Sequence, residues 1–240
     1  MDSGHTLRAF DAELMALTRT LGQMGGIVEA QIADAVNALA RRDTLLGRQV
    51  AAADPAVETL RNRLDEQAIV TIARRQPVAV DLREVVSVLR VSADLKRIAE
   101  LAKNIGKRAG ALEGDFHSPQ LIRGLTHLAA LVLGQLKTVL DSYAGHDIAG
   151  ALEVWRGDKE VDDLYTALVR ELLTYMIEDQ QTISFCLQIM FCAKNLERIG
   201  DHATNIAESV FYVVEGRAIT DPRPKGDSVN LTSAGAAHGP

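Results

Sequence analysis

Asn195 to Glu208 reads NLERIGDHATNIAE, and its reading decides the fold. Glu197, Asp201 and Asn205 stand four residues apart. On an α-helix that spacing stacks three oxygen-bearing side chains along one strip. Beside the strip runs an apolar seam: Ile189, Cys192, Leu196, Ile199, Ala203, Ile206, Val210 and Val213. Its steps alternate three and four residues, the spacing of a helix packed on other helices. One helix therefore carries a core face and, next to it, an acidic face.

The stretch has an echo upstream. Residues 94–105 read DLKRIAELAKNI, and an offset of 101 places Arg97 on Arg198, Ile98 on Ile199, Glu100 on Asp201, Asn104 on Asn205 and Ile105 on Ile206. The seam repeats as well, through Val88, Val91, Leu95, Ile98, Ala102, Ile105 and Ala109. An internal repeat of this length means two similar halves, each ending in a long helix with a polar strip.

Composition agrees with an all-α fold. Of 240 residues 47% are hydrophobic but only 4% aromatic, which favours helix formers over strand formers. The net charge of −6 argues against a nucleic-acid footprint, which needs a basic patch. Cys186 and Cys192 are six apart in one predicted helix and do not face each other, so buried free thiols in a reducing compartment are expected. Residues 1–14 are acidic and lack the apolar stretch of a signal peptide. Apolar runs such as 128–133 fall far short of a membrane span. A soluble, cytoplasmic protein is expected, reaching a membrane only through partners.

Outward from the two strips the punctuation is regular. A first helix is predicted over 6–42, with Leu14, Leu17, Leu21, Met24, Val28, Ile32, Ala35 and Leu39 inward. Gly25-Gly26 inside it marks a close helix contact, since two glycines otherwise weaken a helix. Asp43 caps a short helix over 44–53. Asp54-Pro55 reads as a cap followed by a first-turn proline. That helix carries Val57, Leu60, Leu64, Ile69 and Ile72, and Gln76-Pro77 ends it. Asp81 to Glu84 opens the next helix like a capping box, and this one runs to about 109. Residues 110–118 form a linker.

Ser118-Pro119 restarts the pattern, with a helix to about 143 carrying Leu121, Leu125, Leu128, Val132, Leu136 and Val139. Asp147 then caps a short helix ending near Trp155, a second long helix spans 158–177, a turn covers 178–181, and the last helix runs over 182–214. The chain thus divides into a first three-helix bundle over 6–109, a second over 118–214, and a tail over 216–240. With little apolar content, the tail is expected to be disordered.

The strips are where chemistry is expected. Glu197 and Asp201 have no basic residue at i±4, so their repulsion of a few tenths of a kcal/mol needs a reason, and a bound cation is one. A solvated face is the ordinary alternative. A second acidic pair opens the preceding long helix of each half: Asp54 with Glu58, and Asp158 with Asp162. Asp54 also serves as a cap, and Glu58 and Asp162 suit the helix dipole. Spacing alone does not say whether these pairs meet the strips. Together they offer oxygen ligands, the set preferred by Mg, Mn, Ca or Fe over structural Zn. His202 points about 100° away from Asp201 and reads as a packing residue. There is no Glu-x-x-His pair, P-loop, nucleophile elbow or dinucleotide glycine pattern. An enzyme reading thus lacks a nucleophile and a base. No glycine-rich loop or arginine cluster marks a phosphate pocket.

Three separated motifs in order carry a resemblance. The stretch 195–208, the run RQPVAVDLR at 75–83 and Met24-Gly25-Gly26 together resemble the PhoU family, over about 6–214. The resemblance implies two similar three-helix bundles without enzymatic activity. It implies a cytoplasmic accessory of a phosphate ABC transporter, contacting its ATPase subunit and a membrane histidine kinase. Such a protein negatively regulates phosphate uptake and the starvation response, and homodimers are common in the family. Some members hold multinuclear metal clusters through Glu/Asp-x-x-x-Asp motifs, so Fe, Mn, Mg or Zn ions are the expected cofactors here. Carried over, the metal ligands are Glu197, Asp201, Asn205, Asp158 and Asp162 in the second half, and Glu100, Asn104, Asp54 and Glu58 in the first. Lys96 stands where the family pattern has an acid. By pairing with Glu100 at i+4 it would take the cation's place. Alternatives are a metal-binding helical protein without a signalling role, a plain helical scaffold, and an accessory to a low-affinity phosphate permease.

Overall fold

The computed structural model describes residues 3–109 and 118–226; the side chains of 3–9 and of Asp54 lie outside that description, as do most of the expected linker, 110–117, and the tail from 227. The described chain folds into helices α1 (Ser3–Arg41), α2 (Thr44–Ala52), α3 (Asp54–Arg75), α4 (Ala79–Ala109), α5 (Pro119–Gly145), α6 (Ile148–Glu178) and α7 (Ile183–Glu215), with a 3₁₀ turn at Gln180–Thr182 before α7. Among the described residues none forms a β-strand.

Local chemistry explains most boundaries. Asp43 Oδ1 accepts from the Leu46 amide at 2.9 Å, Ser118 Oγ from the Leu121 amide at 3.4 Å, and Asp147 Oδ1 from the Ala149 amide at 2.9 Å. Each satisfies a donor the helix start leaves free. Two expected caps differ. Ala53, not Asp54, is the cap residue of α3. Asp81 lies inside the first turn of α4, which begins at Ala79, where its charge favours the dipole.

The larger correction is α6. A short helix and a separate long one were expected over 147–177, yet α6 runs unbroken. The first half breaks at Asp54-Pro55 because proline has no N–H to give the preceding turn. The second half has Lys159 where the first has Pro55, and nothing interrupts the ladder.

Helices α1, α3 and α4 form one bundle and α5, α6 and α7 the other, joined by α4 on α7 and α1 on α5. Arg83 Nε donates to the Val213 carbonyl at 3.2 Å, His202 lies 2.8 Å from Asp94, and Arg108 Nη1 donates to Gln188 Oε1 at 2.7 Å. Numbers rise on α4 as they fall on α7, so the pair is antiparallel. The seams of α4 and α7 are buried throughout, and the cores of the two halves are one continuous cluster. In α3 the seam passes through Val57, Leu64, Ala68 and Thr71, while Ile69, expected inside, is 63% exposed. It lies one residue, about 100°, off that line.

Gly25 is a close contact: a Cβ there would stand 2.7 Å from Leu140 Cδ1 of α5. Gly26 faces open space, and nothing in the structure explains it. A tighter approach joins α2 to α4, where a Cβ on Gly47 would come 2.5 Å from the Gly106 carbonyl oxygen. The run 75–83 ties elements together at both ends. Arg75 holds Glu13 of α1 through two bonds, at 2.7 and 3.2 Å, and this pairing keeps the Glu13 carboxyl below its ordinary range. Arg83 donates to the Val213 carbonyl near the C-terminal end of α7, beside Gly216 in the left-handed conformation. Cys186 and Cys192 are buried free thiols; burial pushes Cys192 up to about 12. No described helix is long and apolar enough to cross a membrane.

Glu29 of α1 gives the fold a pH dependence. Burial raises its pKa above the ordinary value, with Asp141 of α5 adding to the shift and Lys137 opposing it. A carboxyl raised on folding supports the native state below its ordinary value, and that support is lost as pH rises through the folded value. Glu29→Gln is therefore expected to raise the melting temperature at pH 7 and to flatten its decline between the ordinary glutamate range and neutrality. An unchanged slope in melting curves across that window would count against this account.

Candidate functional site

The two long helices of the second half bring four of the predicted carboxylates together. Asp158 lies mid-helix in unbroken α6, facing the middle of α7, where Thr204 Oγ1 donates to it at 3.2 Å. Asp162 follows one turn on, and its pKa is raised by burial, with Asp158 and Asp201 adding repulsion. Glu197 is raised chiefly by burial, with Asp201 and Asp162 contributing and Lys194 opposing. The four groups thus share one electrostatic site, which sequence spacing left open.

What neutralises the site was missed by the sequence reading. Arg223 lies in the segment after α7, within the tail expected to be disordered. Its Nε donates to Asp158 Oδ2 at 2.7 Å, and its Nη2 donates to Asp158 Oδ1 at 2.7 Å and to Asp201 Oδ1 at 2.8 Å. The Asp158 side chain is only 3% exposed, Arg223 19% and Asp201 36%. Three residues on, the Gly226 amide donates to Asp162 Oδ2 at 3.0 Å. The tail is ordered here because charged hydrogen bonds, not apolar burial, hold it. Low apolar content does not register such bonds, which tie the described part of the tail, 216–226, to the second bundle. Glu197 has a base at i−3, which the i±4 test overlooked: Lys194 Nζ lies 2.8 and 2.7 Å from its two oxygens.

The fifth predicted ligand faces elsewhere. Asn205 Nδ2 is 3.4 Å from Asp94 Oδ1 of α4, beside His202 at 2.8 Å from the same oxygen. His202 is thus an inter-bundle polar contact. In the first half Lys96 reaches across to Glu58 of α3 at 2.7 Å, rather than along its own helix to Glu100. Glu100 pairs with Arg97 at 2.7 Å. Asn104 lines a different groove.

These arrangements do not fit a metal centre. A divalent ion needs several oxygens free to converge on one point. Here both Asp158 oxygens, one of Asp201 and one of Asp162 are engaged by the tail, and Lys194 Nζ donates to Glu197 Oε1, while the buried Glu197 Oε2 has no hydrogen-bond partner but lies 2.7 Å from the same ammonium. Among the described residues no three His, Cys, Asp or Glu side chains are grouped to hold an ion.

A groove of about 540 Å³ opens where the C-terminal part of α4 meets the first half of α7. Lys107, Arg108, Lys194 and Arg198 line it with Asn104 and Asn195. Arg108 stacks over Phe191, 4.3 Å from the ring centre. No arginine cluster is visible in the sequence, because these residues lie some 80 to 90 positions apart and only the antiparallel register joins them. Nearby, Ile183, Leu187 and Phe191 expose an apolar stripe at i, i+4 and i+8 of α7, with Phe191 50% exposed.

The PhoU domain matches the chain twice, over residues 21–109 and 125–210. A phosphate-specific transport system accessory protein PhoU homolog of Rhizobium meliloti (strain 1021) is 48% identical over 227 residues, covering 95% of this chain and 96% of that one. Its namesake in Caulobacter vibrioides (strain NA1000 / CB15N) is 47% identical, covering 93% and 97%. The crystal structure of PhoU from Pseudomonas aeruginosa superposes with a TM-score of 0.83 at 41% identity, covering 87% of this chain and all of that one. The phosphate transport system regulatory protein PhoU from Streptococcus pneumoniae gives 0.81 at 25% identity, covering 88% and 99%.

Proposed function

The chain belongs to the PhoU family, and on that premise we propose that it is a cytoplasmic, non-enzymatic regulator of phosphate homeostasis. It lowers phosphate uptake and keeps the phosphate-starvation response off by contacting a phosphate ABC transporter, through its ATPase subunit, and a membrane histidine kinase. It does so as a homodimer. The observation that carries this reading is the match to both repeats over nearly the whole chain, in relatives named as accessory proteins of phosphate-specific transport.

Surface chemistry supports action by contact. Large apolar side chains left in water at helix ends suit protein docking more than solubility. Val78, 74% exposed, stands in the α3–α4 turn with Val80 and Leu82 close behind it on α4. At the α6–α7 turn Ile177 is 84% exposed, followed by the stripe Ile183, Leu187 and Phe191. In this reading the stripe, flanked by the basic groove, is the face that meets a partner.

Deleting the gene and following a phosphate-starvation reporter under abundant phosphate tests the reading. Constitutive expression is expected, reversed by the wild-type gene. Leu187→Asp with Phe191→Asp is expected to fold normally and fail to complement. A reporter that stays off after deletion, with unchanged phosphate uptake, would refute the proposal.

A further inference from the structure

Both halves carry an acidic strip, 43% exposed at Glu58 and 37% at Glu100 in the first, and each meets it with a cation from this chain. In the first half the cation is Lys96, which replaces the strip's first acid and pairs with Glu58. In the second half the strip keeps its acid, Glu197, and a cation arrives from outside the bundle: Arg223, with two bonds to Asp158 and one to Asp201. Lys96 is built into α4. Arg223 sits on the segment after the last helix, whose described residues, 216–226, are not helical.

We infer that Arg223 is the resident cation of the second strip, and that it excludes divalent metal ions from Asp158 and Asp201 by direct competition. Two observations support this. The guanidinium engages both oxygens of a carboxylate that is nearly inaccessible to solvent, which a divalent ion would need in its place. The Gly226 amide takes Asp162 at the same time, so the docked segment covers three of the four acids. Competition has a quantitative consequence. If only a fraction f of molecules has the segment undocked, the apparent dissociation constant of a metal is its intrinsic value divided by f. The inference concerns ion binding and does not rest on the regulatory reading above.

The test uses the full chain in equilibrium dialysis against Mn²⁺, with bound metal counted by atomic emission. Arg223→Ala is expected to bind Mn²⁺ with an apparent affinity at least about tenfold above wild type, the ratio for a segment docked at least nine-tenths of the time. Adding Asp158→Asn and Asp201→Asn to Arg223→Ala is expected to abolish the gain. Because Arg223 lies outside every helix, the single variant is expected to keep wild-type helical circular dichroism. Equal uptake by wild type and Arg223→Ala, whether both bind or neither does, overturns the inference. So does uptake by Arg223→Ala that survives removal of the two aspartates.

Discussion

Truncating Ile98 or Ile199 to alanine is expected to lower stability by about 2–5 kcal/mol each, the range for burying a cavity where a large aliphatic side chain was. Both side chains are 0% exposed and belong to one continuous core. They are repeat equivalents on α4 and α7, the two helices packed antiparallel across the middle of the molecule. For a protein of this size, that loss shifts the midpoint of melting by roughly 4–20 °C. The more telling outcome is the shape of the transition. Because α4 and α7 bury their seams in a shared core, either variant is expected to melt in one step, with both halves lost together. Two resolved transitions in calorimetry, only one of them shifted, would show that the halves fold independently. Ile69→Ala serves as the control. Its side chain is 63% exposed, so the change is expected to stay within about 0.5 kcal/mol, although the same residue in the α4 or α7 seam would be costly.

Arg223→Ala is expected to be more damaging than Asp158→Ala, although both remove the same ion pair. Removing the arginine leaves Asp158 fixed on α6, 3% exposed in the folded pair, with Asp162, Glu197 and Asp201 nearby and its counterion gone. Breaking a buried pair from one side costs about 3–5 kcal/mol when the remaining charge stays dry. Here the released segment lets water in, so about 1–3 kcal/mol is expected. Removing the aspartate is different. Arg223 then leaves with its segment and rehydrates, and the buried charge no longer exists. About 1 kcal/mol or less is expected, from the lost docking and the vacated acceptor of Thr204. The double variant should match Asp158→Ala alone, so that adding Asp158→Ala to Arg223→Ala restores stability. Denaturant titrations of the four proteins close this cycle. A larger loss from Asp158→Ala would mean that the aspartate matters through contacts other than Arg223.

The family, the all-α class and most helix boundaries were legible in the sequence because the signals that set them are local. The seams of α1, α4, α5 and α7 repeat every three or four residues over long runs, and a helix with such a seam has one way to hide it. Asp43, Ser118 and Asp147 cap helices by reaching an amide two or three residues ahead, within the span a sequence displays. Even the missed break in α6 was in principle readable, since Lys159 stands where the first half has Pro55. The pairing of Lys194 with Glu197 was readable too, at i−3.

The candidate site was not legible, because its neighbours are chosen by packing. Asp158 meets Asp201 only because α6 is continuous and lies against the middle of α7. Asn205 leaves the strip it was assigned to because α4 presents Asp94 on the other side. Lys107 and Arg108 meet Lys194 and Arg198 only through the antiparallel register of α4 on α7. Arg223 is the extreme case, 65 residues from Asp158 in a segment whose composition suggests disorder. An ion pair leaves no periodic trace in a chain: one residue contributes it, and its partner is fixed by distance in space. The sequence by itself determined which helices form and which faces they bury. The tertiary structure alone decided which charges face one another, because helix register and tail docking set those distances.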